Sequence, residues 1–380
     1  MEKPPLFLVL LMLLCAPLGA QNQHHLAIPD IPGYKTLRCD FHIHTVFSDG
    51  RVWPAVRVDE AAREELDAIA LTDHIEYRPW RNDIPASLNR VHDIAKSTAK
   101  TRNVILIRGV EISRDMPPGH LNAIFLEDCD ALENEDWRKA LAGAKRQNAF
   151  IIWNHPGWDK QQAHTTLWWP EHDEIHKNGW LHGIEVANGY EGYSPKAFQW
   201  ALDKKLTLIG ASDTHKPVGD EVDFSKGEHR ASTLVFARER TAAAIREALD
   251  NRRTAVYFRD FLFGEEQWLR PLLEKSLEVQ KIEHVQPTER AGARTAITLQ
   301  NNSGLLFRLK KIVPGENPLH FSEYLVKPHG RITISVGAPA DTGASEARFE
   351  VANFLTTPET PLLFTVKIPG ASSVASDPSK

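Results

Sequence analysis

Cysteine is scarce in this sequence, with 3 residues among 380. We expect Cys15 to leave with an N-terminal leader, so that Cys39 and Cys129 remain in the mature chain. So few thiols exclude a disulfide-rich scaffold and do not indicate a zinc ion held by cysteines. The two remaining thiols would either pair in an oxidising compartment or stay free and buried.

Positive charge is also limited, because Lys and Arg number 45 against 50 Asp and Glu, a formal net charge of −5. Broad binding to nucleic acid usually needs a basic face, so we do not expect nucleic acid as a partner. A small anionic substrate remains compatible with this composition, because bound metal ions can add local positive charge.

The chain has one marked apolar run, Leu6–Leu14, which follows Lys3 and leads through small residues to Ala20. The run is too short to span a bilayer and predicts a signal peptide at 1–20. A buried N-terminal strand or helix is the alternative. We therefore expect an exported protein, periplasmic or secreted, with no membrane anchor.

Short apolar runs alternate with helical patterns over about 37–258, which indicates a parallel sheet or an α/β barrel. The candidate strands are Leu37–His42, Ala68–Thr72, Val104–Val110, Leu121–Leu126, Phe150–Trp153, Gly183–Val186, Leu206–Gly210 and Thr233–Phe236. The candidate helices are Pro54–Glu65, Ile84–Ala99, Glu135–Gln147, Ser194–Lys204 and Thr241–Asn251.

The pattern changes after this region. Gln267–Lys281 reads as a helical connector, and the later runs are strand-like with turns between them, as in a small all-β sandwich. We predict a signal peptide at 1–20, a barrel domain at 30–265, a helical connector at 266–292, a β-sandwich domain at 293–370 and a disordered tail at 371–380.

The strongest local motif runs from Asp40 to His44 and contains His-x-His at the end of the first candidate strand. Side chains alternate along a strand, so Asp40, His42 and His44 share one face. Two imidazoles placed in this way can bind one metal ion, and Asp40 would orient an imidazole.

Further side chains of metal-binding type stand mostly where candidate strands end, and barrel active sites lie at the carboxyl ends of strands. Any one of them alone would read as a turn or surface residue; their joint occurrence predicts a metal cluster. These residues are His74, Glu111, His155, Asp213 and His215, together with His120, which stands before its strand.

These motifs resemble those of the polymerase and histidinol phosphatase (PHP) family of metallophosphoesterases, over about 37–258. The matching segments are His42-x-His44 with Asp49, Thr72-Asp73-His74, Gly109-Val110-Glu111, Asn154-His155-Pro156, Gly183-Ile184-Glu185-Val186 and Gly210-Ala211-Ser212-Asp213-Thr214-His215. The resemblance implies a distorted (β/α)7 barrel, here followed by a C-terminal β sandwich, and two or three divalent metal ions. The exported chain with its added β domain is similar to a phosphodiesterase branch of the family.

The resemblance also implies a ligand set for each ion. The first set would be His42, His44, Glu111 and Asp213; the second Glu111, His120 and His155, with Glu111 bridging; the third Asp49, His74 and His215. Asp49 stands where many members have histidine. Amidohydrolases also place His-x-His after a first strand, but they commonly bridge their metals with a carbamylated lysine, and no lysine is well placed here.

The predicted reaction is metal-dependent hydrolysis of a phosphate ester by a hydroxide held between metal ions. Imidazole and carboxylate ligands suit manganese, zinc or iron without discriminating among them. We assign direct roles in the chemistry to Glu111, Asp213 and His215. Lys216 and Arg230 could bind the phosphate, although surface charge is the simpler reading for both.

Trp158, Trp168 and Trp169 follow His155 in polar loop sequence and could line an apolar pocket, although packing is their simpler reading. We expect a small phosphodiester as substrate. A phosphomonoesterase of the same fold is the first alternative, and a non-catalytic protein that binds a glycan or another protein is the second.

Overall fold

The structure is a computed structural model that describes residues 26–84, 86–162, 165–288, 292–312, 323–337 and 345–370. The predicted signal peptide and the predicted disordered tail both lie outside these residues. No helix among the described residues is long and apolar enough to cross a membrane.

The first part of the chain forms the expected α/β barrel. Its strands are β1 (Lys35–Asp40), β2 (Ala68–Leu71), β3 (Ile105–Ile112), β4 (Leu121–Ile124), β5 (Phe150–Trp153), β6 (Gly183–Asn188), β7 (Gly192–Tyr193), β8 (Thr207–Ala211), β9 (Ser232–Ala237), β10 (Thr254–Phe258) and β11 (Phe261–Phe263). Its α-helices are α1 (Pro54–Arg63), α2 (Asn89–Arg102), α3 (Trp137–Arg146), α4 (Pro170–Lys177), α5 (Pro195–Lys204) and α6 (Ala242–Asp250).

The barrel is less regular than strand–helix alternation predicts. β4 is antiparallel to both of its neighbours, β3 and β5. β9 is antiparallel to β1 and β10. Thr233 closes the gap to β8, because its hydroxyl accepts from Gly210 N at 3.0 Å and donates to Gly210 O at 2.8 Å. The barrel is therefore distorted, as the family resemblance implies, and contains both parallel and antiparallel pairs.

Local capping explains where several helices begin. The hydroxyl of Thr241 accepts from Ala244 N at 3.1 Å at the start of α6, and Asp136 accepts from Arg138 N at 3.0 Å at the start of α3. These bonds satisfy backbone donors that a first helical turn leaves free. α5 begins at Pro195, whose fixed φ suits the first helical position.

A second, all-β unit follows α7 (Glu266–Ser276). Its strands are β12 (Leu277–Val285), β13 (Arg294–Asn301), β14 (Phe307–Lys311), β15 (Glu323–Val326), β16 (Arg331–Gly337), β17 (Ser345–Thr357) and β18 (Thr360–Ile368). β12, β13 and β16 form one sheet, and β14, β15, β17 and β18 form the facing one, which joins the barrel sheet because β17 pairs with β11.

The connector differs from its prediction. The helix ends at Ser276 rather than near Lys281, because Leu277 already pairs with Asn301 of β13. Pairing with a distant strand overrides the local helical pattern here. Cys39 and Cys129 are both free and buried, so of the two expectations for these thiols the structure shows the second.

Candidate metal centre

The chain between β1 and the next turn stays extended and carries His42 and His44 into the mouth of the barrel. Ile43 bridges to Thr214, and His44 N donates to Thr214 O at 3.1 Å. The alternation of a strand therefore continues past the end of β1, with Ile43 in the core and both imidazoles on the opposite side.

Four side-chain atoms converge at the centre of this mouth. Nε2 of His42 lies 3.0 Å from Nε2 of His44, and each lies 3.1–3.3 Å from both Glu111 Oε2 and Asp213 Oδ1. All four residues are buried. Lone pairs on nitrogen and oxygen that face one another this closely repel unless a proton or a cation lies between them.

Glu111 occupies the middle of the cluster and uses both carboxylate oxygens. Its Oε1 lies 2.6 Å from His120 Nδ1 and 3.8 Å from His155 Nε2, on the side opposite His42 and His44. His155 and Asp213 are held at positive φ values of 28° and 54°, which non-glycine residues rarely adopt. Backbone strain of this kind is concentrated at functional sites.

Asp49 lies at the outer edge of the cluster. Its Oδ1 is 3.3 Å from His215 Nε2, 3.5 Å from His74 Nε2 and 3.8 Å from His44 Nδ1. Asp49 stands where many family members have histidine. Its carboxylate nevertheless reaches His74 and His215, the residues with which the family resemblance groups it. All the predicted ligands meet at one mouth, and their assignment to individual ions stays a prediction.

The cluster suits divalent metal ions by its chemistry. Oδ1 of Asp49, Oε1 of Glu111 and Oδ1 of Asp213 are buried, and among the described residues none of these oxygens receives a hydrogen bond of acceptable geometry. Buried oxygens without donors are costly, and a cation would satisfy them. Groups of His, Asp and Glu here place ligand atoms within 4.8 Å of one another, and they contain no thiolate. Such a donor set fits manganese, zinc or iron.

Comparison with known proteins agrees with this geometry. A crystal structure of a two-domain protein from Bacteroides vulgatus, described as containing a predicted PHP-like metal-dependent phosphoesterase, is 49% identical and has a TM-score of 0.84. The alignment covers 92% of this chain and 100% of that one. The chain belongs to the PHP-like metal-dependent phosphoesterases.

Two other similarities cover parts of this PHP-like protein. An uncharacterised protein of Methanocaldococcus jannaschii is 39% identical over 195 residues, which are 48% of this chain and 83% of that protein. The Ig-like domain family DUF5001 matches residues 277–367. The expected two-domain architecture, an α/β PHP-like domain followed by an all-β sandwich, is therefore confirmed.

The acid that orients His42 is Glu185 and not Asp40, which corrects the role that the sequence suggested for Asp40. Oε1 of Glu185 lies 2.8 Å from His42 Nδ1, and Oε2 accepts from His155 N at 2.7 Å. Asp40 instead accepts from the Ser212 hydroxyl at 2.6 Å, one residue before Asp213. The sequence signal for Glu185 was present, since this carboxylate stands between Ile184 and Val186 in a buried strand.

Asp73 shapes the loop that carries His44 and Asp49. It accepts from Thr45 N at 2.7 Å and from the Ser48 hydroxyl at 2.6 Å. Both bonds draw the loop against the end of β2. Sequence reasoning noted Asp73 beside His74 but gave it no separate role.

The structure does not support the phosphate-binding role suggested for Arg230, because its guanidinium is paired with two carboxylates. The guanidinium is buried, with Nη1 3.1 Å from Asp40 Oδ2 and Nε 2.9 Å from Glu64 Oε1. The Arg230 guanidinium does not lie at the surface, and its ion pairs leave it unavailable to bind a phosphate. Lys216, in contrast, is exposed and lines the cavity above the cluster.

The histidines and carboxylates of the cluster shift one another's pKa values. Burial disfavours imidazolium, but the neighbouring carboxylates of Asp213 and Glu111 outweigh burial and raise the pKa of His44 to about 10. At His74 burial dominates and lowers the pKa to about 3. Burial opposes ionisation of Glu111, yet the surrounding histidines hold the pKa of this carboxyl well below its usual range. The carboxylates are thus charged and ready to act as ligands.

A cavity of about 720 Å³ opens over the cluster. Trp158 lines it, with its ring centroid 5.4 Å from His120 and 5.1 Å from His155. Trp168 packs against Trp153 instead, at 5.6 Å. Neither Trp168 nor Trp169 is among the residues that line this cavity, so of the three candidate tryptophans Trp158 alone does so.

Proposed function

We propose that this PHP-like phosphoesterase hydrolyses small-molecule phosphodiesters. The observation that carries the proposal is the placement of aromatic rings around the cavity. Tyr77 stands edge-on to His74 at 6.0 Å, and Tyr190 stands edge-on to His215 at 5.4 Å. Trp158 stands beside His120 and His155. Because the rings stand beside different histidines of the cluster, a phosphate held there would have apolar surface available for two organic groups.

The exposure and charge of the lining support the same substrate class. Tyr77 and Tyr190 are 57% and 54% exposed, so both rings are available to a ligand. Arg51, Lys160 and Lys216 are the Lys and Arg residues among those that line the cavity. A diester carries one negative charge at its phosphate and needs less cationic compensation than a monoester does.

Different residues of the site would bind the metal ions and the substrate. His42, His44, Glu111 and Asp213 would hold metal ions at the centre, and Asp49, His74 and His215 would hold one at the rim. Bound divalent ions would neutralise phosphate oxygens and lower the pKa of a bound water. Lys216, at the exposed edge of the cavity, would contact the phosphate. The rings of Tyr77, Tyr190 and Trp158 would orient the organic groups of the ester.

A substrate pair tests the proposal directly. Purified protein loaded with Mn²⁺ or Zn²⁺ is assayed with bis(p-nitrophenyl) phosphate and p-nitrophenyl phosphate, next to Asp213→Asn as the inactive control. We expect a higher kcat/KM for the diester and loss of both activities in the control. A higher kcat/KM for the monoester would establish the alternative phosphomonoesterase.

We also infer that the protein is exported. The support is the sequence alone: Lys3, the apolar run Leu6–Leu14 and the small residue Ala20. The full-length chain is expressed with a C-terminal tag, followed by cell fractionation and N-terminal sequencing. A mature terminus at Gln21 outside the cytoplasm is the expected result, and an uncut cytoplasmic chain would contradict export.

A further inference from the structure

Tyr190 stands between two cavities at the mouth of the barrel. It lines the cavity over the metal centre, and it also lines a neighbouring cavity of about 580 Å³. Lys216 is shared by the two cavities in the same way. A tyrosine ring that is 54% exposed can adopt several rotamers unless other groups hold it. The groups that hold Tyr190 therefore decide where its ring meets a substrate.

The backbone of Tyr190 is tied to the metal centre through Asn188. Oδ1 of Asn188 accepts from Tyr190 N at 2.8 Å. Nδ2 of the same amide donates to Glu185 Oε2 at 2.8 Å and to Asp213 Oδ2 at 3.3 Å. One end of Tyr190 is thus fixed by residues that also contact the cluster.

Glu221 holds the other end of Tyr190, because the phenol hydroxyl donates to Oε1 of Glu221. Glu221 follows the short 3-10 helix Val218–Asp220 and is half-buried. It lines the neighbouring cavity and is not among the described residues that line the cavity over the metal centre. Glu221 can therefore influence a substrate at the metal centre through Tyr190.

Two more hydrogen bonds fix the carboxylate of Glu221 itself. Lys216 N donates to Oε1 at 3.1 Å, and the Thr214 hydroxyl donates to Oε2. The carbonyl oxygen of Thr214 in turn accepts from His44 N and from Arg57 Nη2, each at 3.1 Å. The carboxylate is therefore held against the barrel and presents a fixed acceptor to the phenol.

We propose that Glu221 is a positioning residue that fixes the ring of Tyr190 for contact with one organic group of the ester. This inference rests on the proposed phosphodiesterase function, in which the ring orients such a group. Because the ring is fixed before the substrate arrives, binding costs less side-chain freedom than it would with a mobile ring. Glu221 should therefore strengthen substrate binding and leave the chemical step unchanged.

A double-mutant cycle of Glu221→Ala and Tyr190→Phe tests this role. Steady-state kinetics are measured on the metal-loaded full-length protein with bis(p-nitrophenyl) phosphate. Each single variant removes the bond between the two side chains, so each should raise KM by about three- to tenfold, the contribution of a hydrogen bond of ordinary strength. The value of kcat should stay within about twofold, because loss of uniform binding raises KM alone. The double variant should be close to the worse single variant, since both changes remove the same bond.

Two further variants separate positioning from a general effect on folding or charge. Glu221→Gln keeps an oxygen that can accept from Tyr190, and it should recover most of the lost affinity. Asp220→Ala is the matched control, because it removes an exposed acid one residue away in the lining of the same neighbouring cavity. Its KM should equal that of the wild type. Elemental analysis should find the metal content of the wild type in every variant.

Other results would overturn the inference. Additive effects in the cycle would show that Glu221 acts independently of Tyr190. A lower kcat with an unchanged KM in Glu221→Ala would indicate damage to the metal centre or to the fold. An equal rise of KM in Asp220→Ala would indicate a general effect of charge.

The outcome is separable from that of the proposed function. If the wild type prefers monoesters, the diester proposal fails, and the same cycle is run with p-nitrophenyl phosphate, whose aryl group can also meet the ring of Tyr190. A non-additive rise of KM would still support the role of Glu221, and additive effects would overturn it in either substrate class. If the wild type hydrolyses neither ester, the Kd for bis(p-nitrophenyl) phosphate, measured by calorimetry, replaces KM in the cycle with the same criteria.

Discussion

Asp213 and Asp49 are both carboxylates of the cluster, but their surroundings differ. Asp213 is buried and lies 3.1–3.2 Å from both His42 and His44, whereas the Asp49 side chain is 24% exposed at the rim. At Asp49 burial raises the pKa, yet His215 and the nearby His44 and His74 outweigh it and bring the pKa to about 2. Both carboxylates are therefore available as anionic metal ligands. Asp213 belongs to the buried centre of the cluster and Asp49 to its partly exposed rim.

This difference predicts a ranking of substitutions. Asp213→Ala and His42→Ala should abolish turnover and reduce bound metal, because each removes a ligand from the buried centre. Asp49→Ala should retain metal at the centre and lose less activity. Elemental analysis and diester turnover of the three variants check the ranking, and equal losses in all three would contradict an accessory role for the rim.

His44 predicts how metal affinity depends on pH. In the metal-free protein its pKa is about 10, so its imidazole is protonated at neutral pH, although a metal ligand must be unprotonated. Metal binding should therefore release protons, and metal affinity should rise with pH up to about 10. Calorimetric titrations with Zn²⁺ in buffers of different ionisation enthalpy measure the proton release. A Zn²⁺ affinity that does not change with pH would contradict protonation of His44 in the metal-free protein.

The raised pKa of His44 also affects the stability of the metal-free protein. A folded-state pKa raised above the ordinary value of 6.5 adds stability that is fully present below pH 6.5 and is lost as the pH rises towards about 10. The Tm of the metal-free protein should fall across this range. His44→Gln should show a smaller fall, which separates this group from others that titrate in the same window.

At the scale of single elements, the pairing of β11 with β17 joins the two domains. Leu262 pairs with Phe354 and Phe263 with Leu355 in parallel register. Asn353 reinforces the joint, because its Nδ2 donates to Asp260 O at 2.6 Å and to Leu306 O at 2.7 Å. Its Oδ1 accepts from Arg308 N at 3.0 Å, so one buried side chain connects β17 with Asp260 and with the segment Leu306–Arg308.

Asn353→Ala should destabilise the protein. The change leaves partly buried backbone groups without partners, and each unsatisfied group costs up to about 1–3 kcal/mol. Urea unfolding measures the free energy, and Asn302→Ala serves as the control because that amide is bonded to Glu278 near the surface. Equal free energies of unfolding in the two variants would contradict a special role for Asn353.

Elements with a local signal were predictable, and those set by distant partners were not. β1 to β6 follow from apolar runs, and His42 and His44 follow from strand alternation. The residues at strand ends meet because a barrel collects those ends at one mouth. β12 was read as helix because its pairing with β13 is not encoded locally. Arg230 was misplaced because Glu64, its ion-pair partner, is 166 residues away.

At the scale of the whole molecule, the two domains share one hydrophobic core. Leu262 of the barrel sheet and Leu269, Leu272 and Leu273 of α7 are buried in a cluster that includes Phe307 and Phe354 of the β domain. Phe307 and Phe354 contact each other with ring centroids 5.1 Å apart. The β domain is therefore a structural part of the enzyme and more than a tethered module.

Removal of the β domain should consequently destabilise the barrel. A chain that ends at Ser276 would expose those leucines, and with about 1.5–3 kcal/mol for each the loss is on the order of 10 kcal/mol. That is comparable to the whole stability of a typical domain, about 5–15 kcal/mol. The full-length protein should unfold in a single calorimetric transition, and the truncated chain should aggregate or lose its transition. A truncated chain that stays monomeric, keeps its metal and melts at the full-length temperature would show that the barrel is independent.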